Sequence, residues 1–245
     1  MKKIWIVTLF PDYFDSLINS GIVGQALRGE RGEAPEIVTV QLRNFTTNDY
    51  KGVDDSPYGG GPGMVIRADV LKRVLEYIVQ EGSYGSDYKN KLHIVFPSPR
   101  GATWNNSYAK KFASYYATEA SKDLVFICGR YEGIDERFIQ LYVDEQISLG
   151  DFILSGGEIA TMVIIDSFMR FFKGVLGNKE SSEAESFQSN LLEHPQYTRP
   201  SIFEGVEVPA VLISGHHQNI EKYKRDESLR ITKLHRLDLL KKDIE

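Results

Sequence analysis

One cysteine in 245 residues, Cys128, has no intrachain disulfide partner, and the Cys and His spacings of a structural zinc site are missing around it. A reducing, cytoplasmic setting is expected. Long apolar runs are missing too. The first, Ile4 to Leu9, ends at Pro11 and Asp12, too early for a secretory signal, and no stretch approaches the roughly 18 to 20 residues of a membrane helix. The chain is expected to be soluble. Positive charge is in deficit, with 29 Lys and Arg against 34 Asp and Glu and a net charge of −5. That argues against a wholly basic nucleic-acid binder but leaves room for a local patch. The first strand-to-helix turn reads Phe10-Pro11-Asp12-Tyr13, without the glycine fingerprint of a standard N-terminal dinucleotide site. No Gly-Lys-Ser/Thr follows the later glycine run, so a P-loop NTPase is excluded. What is present is enough apolar sequence, 42%, for one large or two modest domains rather than a disordered chain.

Periodicity predicts alternating strands and helices. Ile4 to Leu9, Glu36 to Leu42, Leu92 to Phe96, Asp123 to Cys128 and Tyr142 to Leu149 read as short strands. Ala68 to Val79 and Asn105 to Ala117 have helical spacing, and Ile159 to Phe172 is apolar almost all round, as in a helix covered on most of its surface. The economical reading is an α/β fold with an open, mostly parallel sheet. Arg43 to Gly63 reads as a long loop and Glu81 to Lys91 as a mobile insertion. Lys173 to Gln196 has the composition of a linker, which divides a domain over residues 1–173 from a linker over 174–200 and a small C-terminal domain over 201–245. In the latter, Lys222, Lys224, Arg225, Arg230, Lys233 and Arg236 face only Asp226 and Glu227 between 222 and 236. They form either a solvated helix face or a nucleic-acid contact.

The loops carry the chemistry. Tyr58-Gly59-Gly60-Gly61-Pro62-Gly63-Met64 bares its backbone to a flat or anionic ligand, or is a flexible turn. Three further segments, Pro97-Ser98-Pro99-Arg100-Gly101, Gly129 to Asp135 and Leu149 to Glu158, each follow a predicted strand. Open α/β sheets bind ligands outside the carboxyl ends of their strands, so the three loops are expected to share one pocket. Arg170, near the end of an apolar helix, needs a carboxylate or an anion, with Asp166 one turn earlier as the ordinary partner. Glu180, Glu183 and Glu185 in the linker either close over a substrate or are solvated. The histidines have no ligand spacing, and no metal ligands are assigned.

Four segments in order, Val53 to Met64, Gly129 to Arg137, Gly150 to Glu158 and His194 to Pro200, resemble the bacterial tRNA (guanine-N1)-methyltransferases, the TrmD family of the SPOUT class. The resemblance covers nearly the whole chain. It implies a trefoil-knotted sheet with a small, mainly helical C-terminal tRNA-binding domain, a homodimer with a shared active site, and methyl transfer from S-adenosylmethionine to the guanine just 3′ of the anticodon, position 37. The implied donor contacts are Pro97, Ser98, Pro99 and Gly101, then Gly129, Tyr131, Glu132 and Gly133, then Leu149, Gly150, Asp151, Phe152, Ile153, Leu154, Gly156 and Gly157. Arg170 is implied as the cation that stabilises charge at O6, and Glu185, where the family usually has aspartate, as the base. Substrate contacts are implied at Asp55, Tyr58, Gly59, Gly60, Gly61, Ser181, Ser186, Tyr197, Arg199, Lys224 and Arg225. A second departure is Thr47 to Lys51, where the family commonly has histidine with arginine or lysine. The family's reaction is associated with a divalent ion, Mg2+. A donor pocket does not itself choose the base, so the alternatives are a knotted methyltransferase for another RNA nucleoside and an RNA-binding regulator without turnover.

Overall fold

The computed structural model describes residues 2–47, 52–118, 121–176, 186–187 and 189–244. The chain divides into two compact units, Met1–Gly177 and Asn178–Glu245. The first is built on a five-stranded sheet in the order β2-β1-β6-β5-β7. These strands are β1 (Lys3–Thr8), β2 (Glu36–Gln41), β5 (Leu92–Thr103), β6 (Asp123–Ile127) and β7 (Glu145–Ser148). Every pairing in that sheet is parallel.

A parallel sheet is covered on both faces, which is why its strands read as unbroken apolar runs. In β1, Trp5 and Val7 enter one core while Ile4 and Ile6 enter the other. In β6, Val125 and Ile127 are matched in the same way by Leu124 and Phe126. The first face is covered by α3 (Ala68–Glu81), through Val70, Leu71, Val74, Leu75 and Ile78, and by Phe138 of α6 (Glu136–Tyr142). The second is covered by Phe112 of α5 (Asn106–Tyr116), by Ile164, Ile165 and Phe168 of α7 (Gly157–Met169), and by Val23 and Ala26 of α2 (Gly21–Leu27). Helices α3 and α7 differ as their sequences do. Charged residues of α3 face solvent in ion pairs one turn apart, Arg73 with Asp69 at 3.0 Å and Lys72 with Glu76 at 3.4 Å. The only charged side chains of α7 are Glu158 and Asp166.

Three expectations change. Strand β5 is seven residues longer than its apolar stretch, because the chain pairs with β7 again after a bulge between Pro97 and Ala102. The stretch from Arg43 to Gly63 is not loop throughout: Leu42–Phe45 forms a 3-10 turn, and β3 (Asp54–Asp55) pairs antiparallel with β4 (Val65–Ile66). The polar segment from Glu81 to Lys91 is not a loose insertion either. Tyr84 is only 7% exposed. Its hydroxyl accepts from Trp5 Nε1 at 2.9 Å and donates to the Asp123 carboxylate, and a one-turn helix, Tyr88–Lys91, follows. Burial, together with donation to Asp123, holds the phenol above its ordinary pKa.

In the second unit, an antiparallel hairpin of Ile202–Phe203 and Val206–Glu207 precedes helices Ala210–Ile213 and His217–His235 and a 3-10 segment, Leu237–Ile244. Thr232 is fully buried and its hydroxyl accepts from Leu192 N at 2.8 Å, which ties the preceding tract to the long helix.

Replacing Tyr84 with Phe should leave a buried indole N–H and a carboxylate oxygen underbonded. The expected cost is about 1 to 3 kcal/mol, read by calorimetry as a lower melting temperature for the first unit. An unchanged melting temperature would return this segment to the status of a loose insertion.

Candidate active site

Adjacent parallel strands point the same way, so the segments leaving β6, β5 and β7 emerge side by side. They line one pocket of about 280 Å³. The first segment is the bulge of β5. Both Pro97 and Ala102 register against Ile147, and Ser98 and Pro99 between them line the pocket. Ser98 is buried and its Oγ accepts from Arg100 N at 3.2 Å. Gly101 makes the return possible: a Cβ there would lie 2.3 Å from backbone atoms of Gln146 and Ile147.

The second segment turns at Gly133, whose N–H donates to Arg130 O at 2.9 Å. Tyr131 takes a left-handed backbone (φ 58°), unusual for a residue with a Cβ. At Gly133 (φ 110°) a Cβ would meet nothing within 4 Å, so the peptide is bare. This segment also holds the glycine run. Glu132 N donates to Met64 O at 3.0 Å, Ile66 N to Gly133 O at 3.0 Å and Asp135 N to Ile66 O at 2.9 Å. Gly63 takes a left-handed backbone (φ 86°), the conformation that favours glycine, beside the exposed Glu132 side chain.

In the third segment, Gly157 N donates to Gly129 O at 2.8 Å, and a Cβ on Gly157 would come within 3.0 Å of Cys128 Cα and Gly129 N. Phe152 and Ile153 stand exposed at the mouth. Cys128 lies beneath, fully buried beside Thr161; burial pushes its thiol well above the ordinary range, so it is no nucleophile.

The lining therefore joins most of the predicted donor contacts. Gly101 is not among the lining residues, because it packs on β7 instead, and neither is Asp151. Sequence reasoning passed over Phe96, Ile147 and Ala160 in the lining, and the ion pair of Arg130 with Glu158, Nε to Oε2 at 3.0 Å. In the sequence Glu158 closes the third loop, one residue before the predicted helix, so its burial at the second position of α7 had no local signal.

Arg170 lies elsewhere. It follows the last residue of α7 and lines a groove with Asp166, Ile22, Ile159 and Val163. The 13 residues of α7, Gly157 included, precede it and span about 20 Å at 1.5 Å per residue. Glu185 and Ser181 lie outside the described residues.

The family model for tRNA (Guanine-1)-methyltransferase TrmD matches residues 1–242. The chain belongs to this family. A protein of Clostridium botulinum (strain Loch Maree / Type A3) named tRNA (guanine-N(1)-)-methyltransferase is 47% identical over 240 residues, covering 98% of this chain and 92% of the relative. One of the same name from Sulfurihydrogenibium sp. (strain YO3AOP1) is 45% identical over 240 residues, covering 98% and 88%. The parallel α/β sheet suits the membership.

The substrate residues expected from the family fall in both units. In the first, Asp55 caps the turn at Ser56, with Oδ1 accepting from Ser56 N at 2.8 Å. Tyr58 is 96% exposed, and Gly59, Gly60 and Gly61 all have positive φ with open space around them. In the second, Ser186 Oγ accepts from Glu193 N at 2.9 Å, and Tyr197 and Arg199 are exposed. The basic cluster is less free than its sequence count. Lys224 pairs with Glu221 at 3.1 Å, Arg230 with Glu227 at 2.8 Å and Arg236 with Asp238 at 2.7 Å. Arg225 is exposed and has no acidic partner among the described residues. No three His, Cys, Asp or Glu side chains converge as metal ligands among the described residues. No described helix is long and apolar enough to cross a membrane.

Replacing Gly101 with Ala should force the bulge off β7. A loss of about 1 to 3 kcal/mol is expected, read as a lower urea midpoint. Wild-type stability would mean that the two backbones do not need their close approach.

Proposed function

We propose that this chain is an S-adenosylmethionine-dependent tRNA (guanine-N1)-methyltransferase of the cytoplasm that modifies guanine 37. The observation that carries this reading is the convergence of three strand-end loops on one pocket in a member of this family. Bare peptide groups beside Gly133, with Phe96, Ile147 and Leu154 in the walls, are suited to an adenine ring that needs edge hydrogen bonds and apolar faces. Bound there, the donor supplies a methyl group on a sulfonium. A divalent ion, Mg2+, is kept as part of the proposal without an assigned ligand.

Guanine N1 must lose a proton as it gains the methyl carbon. Glu185 is assigned to take that proton, and a carboxylate does so best when closure of the linker desolvates it and raises its pKa. Arg170 is assigned to the charge that grows toward O6. The length of α7 keeps Arg170 far from the pocket of its own chain, which supports an active site shared between two copies. The half-exposed Ile22, Ile159 and Val163 around it supply an apolar face for that homodimer. Within this reading residues 1–173 form the knotted donor-binding domain, 174–200 the lid and 201–245 the tRNA-binding domain.

Replacing Glu185 with Gln should leave binding of the product S-adenosylhomocysteine nearly unchanged. It should lower methyl transfer to a tRNA transcript by about 10²- to 10⁴-fold; full turnover would remove Glu185 from the mechanism. Mass spectrometry of the modified tRNA should place the methyl on N1 of guanine 37, and a methyl elsewhere would point to a different nucleoside specificity. Replacing Arg225 with Ala should weaken tRNA binding and reduce the salt slope by about one, whereas replacing the acid-paired Arg230 should do less. Equal effects, or none, would return the helix to a solvated face.

A further inference from the structure

Glu158 occupies the second position of α7 and is 1% exposed. Its Oε1 accepts from Thr8 Oγ1 at 2.8 Å, at the end of β1. Its Oε2 lies 3.0 Å from Arg130 Nε, yet neither atom has an aligned hydrogen-bond partner among the described residues. The contact is therefore an ion pair held by placement more than by hydrogen-bond geometry. Arg130 itself belongs to the loop after β6. It donates through Nη1 to Ser155 O of the loop after β7 at 3.1 Å, and its guanidinium lies over the Phe10 ring at 4.5 Å. Gly156 has no room for a side chain because a Cβ would lie 2.2 Å from Arg130 Nε.

Four segments thus meet at one buried pair, and two of them are walls of the pocket. Stability alone does not call for such a pair, since apolar residues of similar volume often serve as well. We propose that Glu158 is a positioning residue for the methyl donor: acting through Arg130, it sets the separation of the loops after β6 and β7. Tyr13 and Glu158 outweigh burial and hold the Arg130 guanidinium above its ordinary range. Glu158 does not touch the reacting atoms in this scheme. The inference rests on the assignment of this pocket to the donor.

Calorimetric titration of the full-length protein with S-adenosylhomocysteine tests it, using wild type, Glu158→Gln, Arg130→Gln and the double variant. Each single variant should bind about 10- to 100-fold more weakly, the range for removing a group that orients a binding residue. The double variant should bind no worse than the weaker single variant. In steady-state methyl transfer the Km for S-adenosylmethionine should rise while kcat at saturating donor and the Km for tRNA stay near wild type. Wild-type affinity in Glu158→Gln, or losses that multiply in the double variant, would overturn the coupling. If Glu158→Gln does not fold, Arg130→Gln at a site 14% exposed still decides: unchanged donor affinity there overturns it. A wild-type protein that binds no S-adenosylhomocysteine removes the donor assignment and this inference with it, a result distinct from a failure of the variants alone.

Discussion

Where the third loop enters α7, its backbone lies directly on that of the second loop. Gly157 lies so close to Cys128 and Gly129 that an added Cβ would stand 3.0 Å from their backbone atoms, and its N–H donates to Gly129 O. The rest of the site depends on this contact. It brings the start of α7 under the pocket, places Glu158 within reach of Arg130, and leaves the pocket bounded by backbone on two sides. A methyl group at this point would press the two backbones apart by a few tenths of an ångström, and in a close-packed interior that strain passes to the pair and to the pocket wall.

The sheet imposes a second constraint. Its central strands are covered on both faces, so the side chains of β1, β5 and β6 are committed to packing. Polar chemistry is left to the strand ends, and the neighbouring positions of β6, β5 and β7 gather three ends in one place. The same geometry limits a single chain. Helix α7 begins beneath the pocket and ends at Arg170, so the two proposed halves of the reaction lie at opposite ends of a rigid rod. This separation is why the proposed role of Arg170 brings in the pocket of another copy.

Much of the architecture was legible in local pattern. The apolar runs of β1 and β6 and the spacing of Val70 to Ile78 report burial that depends on near neighbours in sequence. The three loops were legible because each follows such a run. Tyr84 was not, since its partners are Trp5 and Asp123, and a polar segment anchored by one aromatic has the composition of a loose one. Gly101 reads as a turn glycine, yet its φ is ordinary and its importance lies in the backbone of a distant strand. Arg130 and Glu158 stand in separate motifs that no periodicity connects.

The amino-acid sequence alone determined the α/β class, the strands and principal helices, the loops that carry chemistry and, through four ordered motifs, the family. These follow from spacing along the chain and from residue types. Tertiary structure decided which loops adjoin, that β5 resumes its pairing after the bulge, that Arg130 meets Glu158, and that Arg170 stands away from its own pocket. The physical reason is range: burial and helical spacing are set by neighbours a few residues away, whereas backbone contact and ion pairing are set by segments that meet only when the sheet has formed.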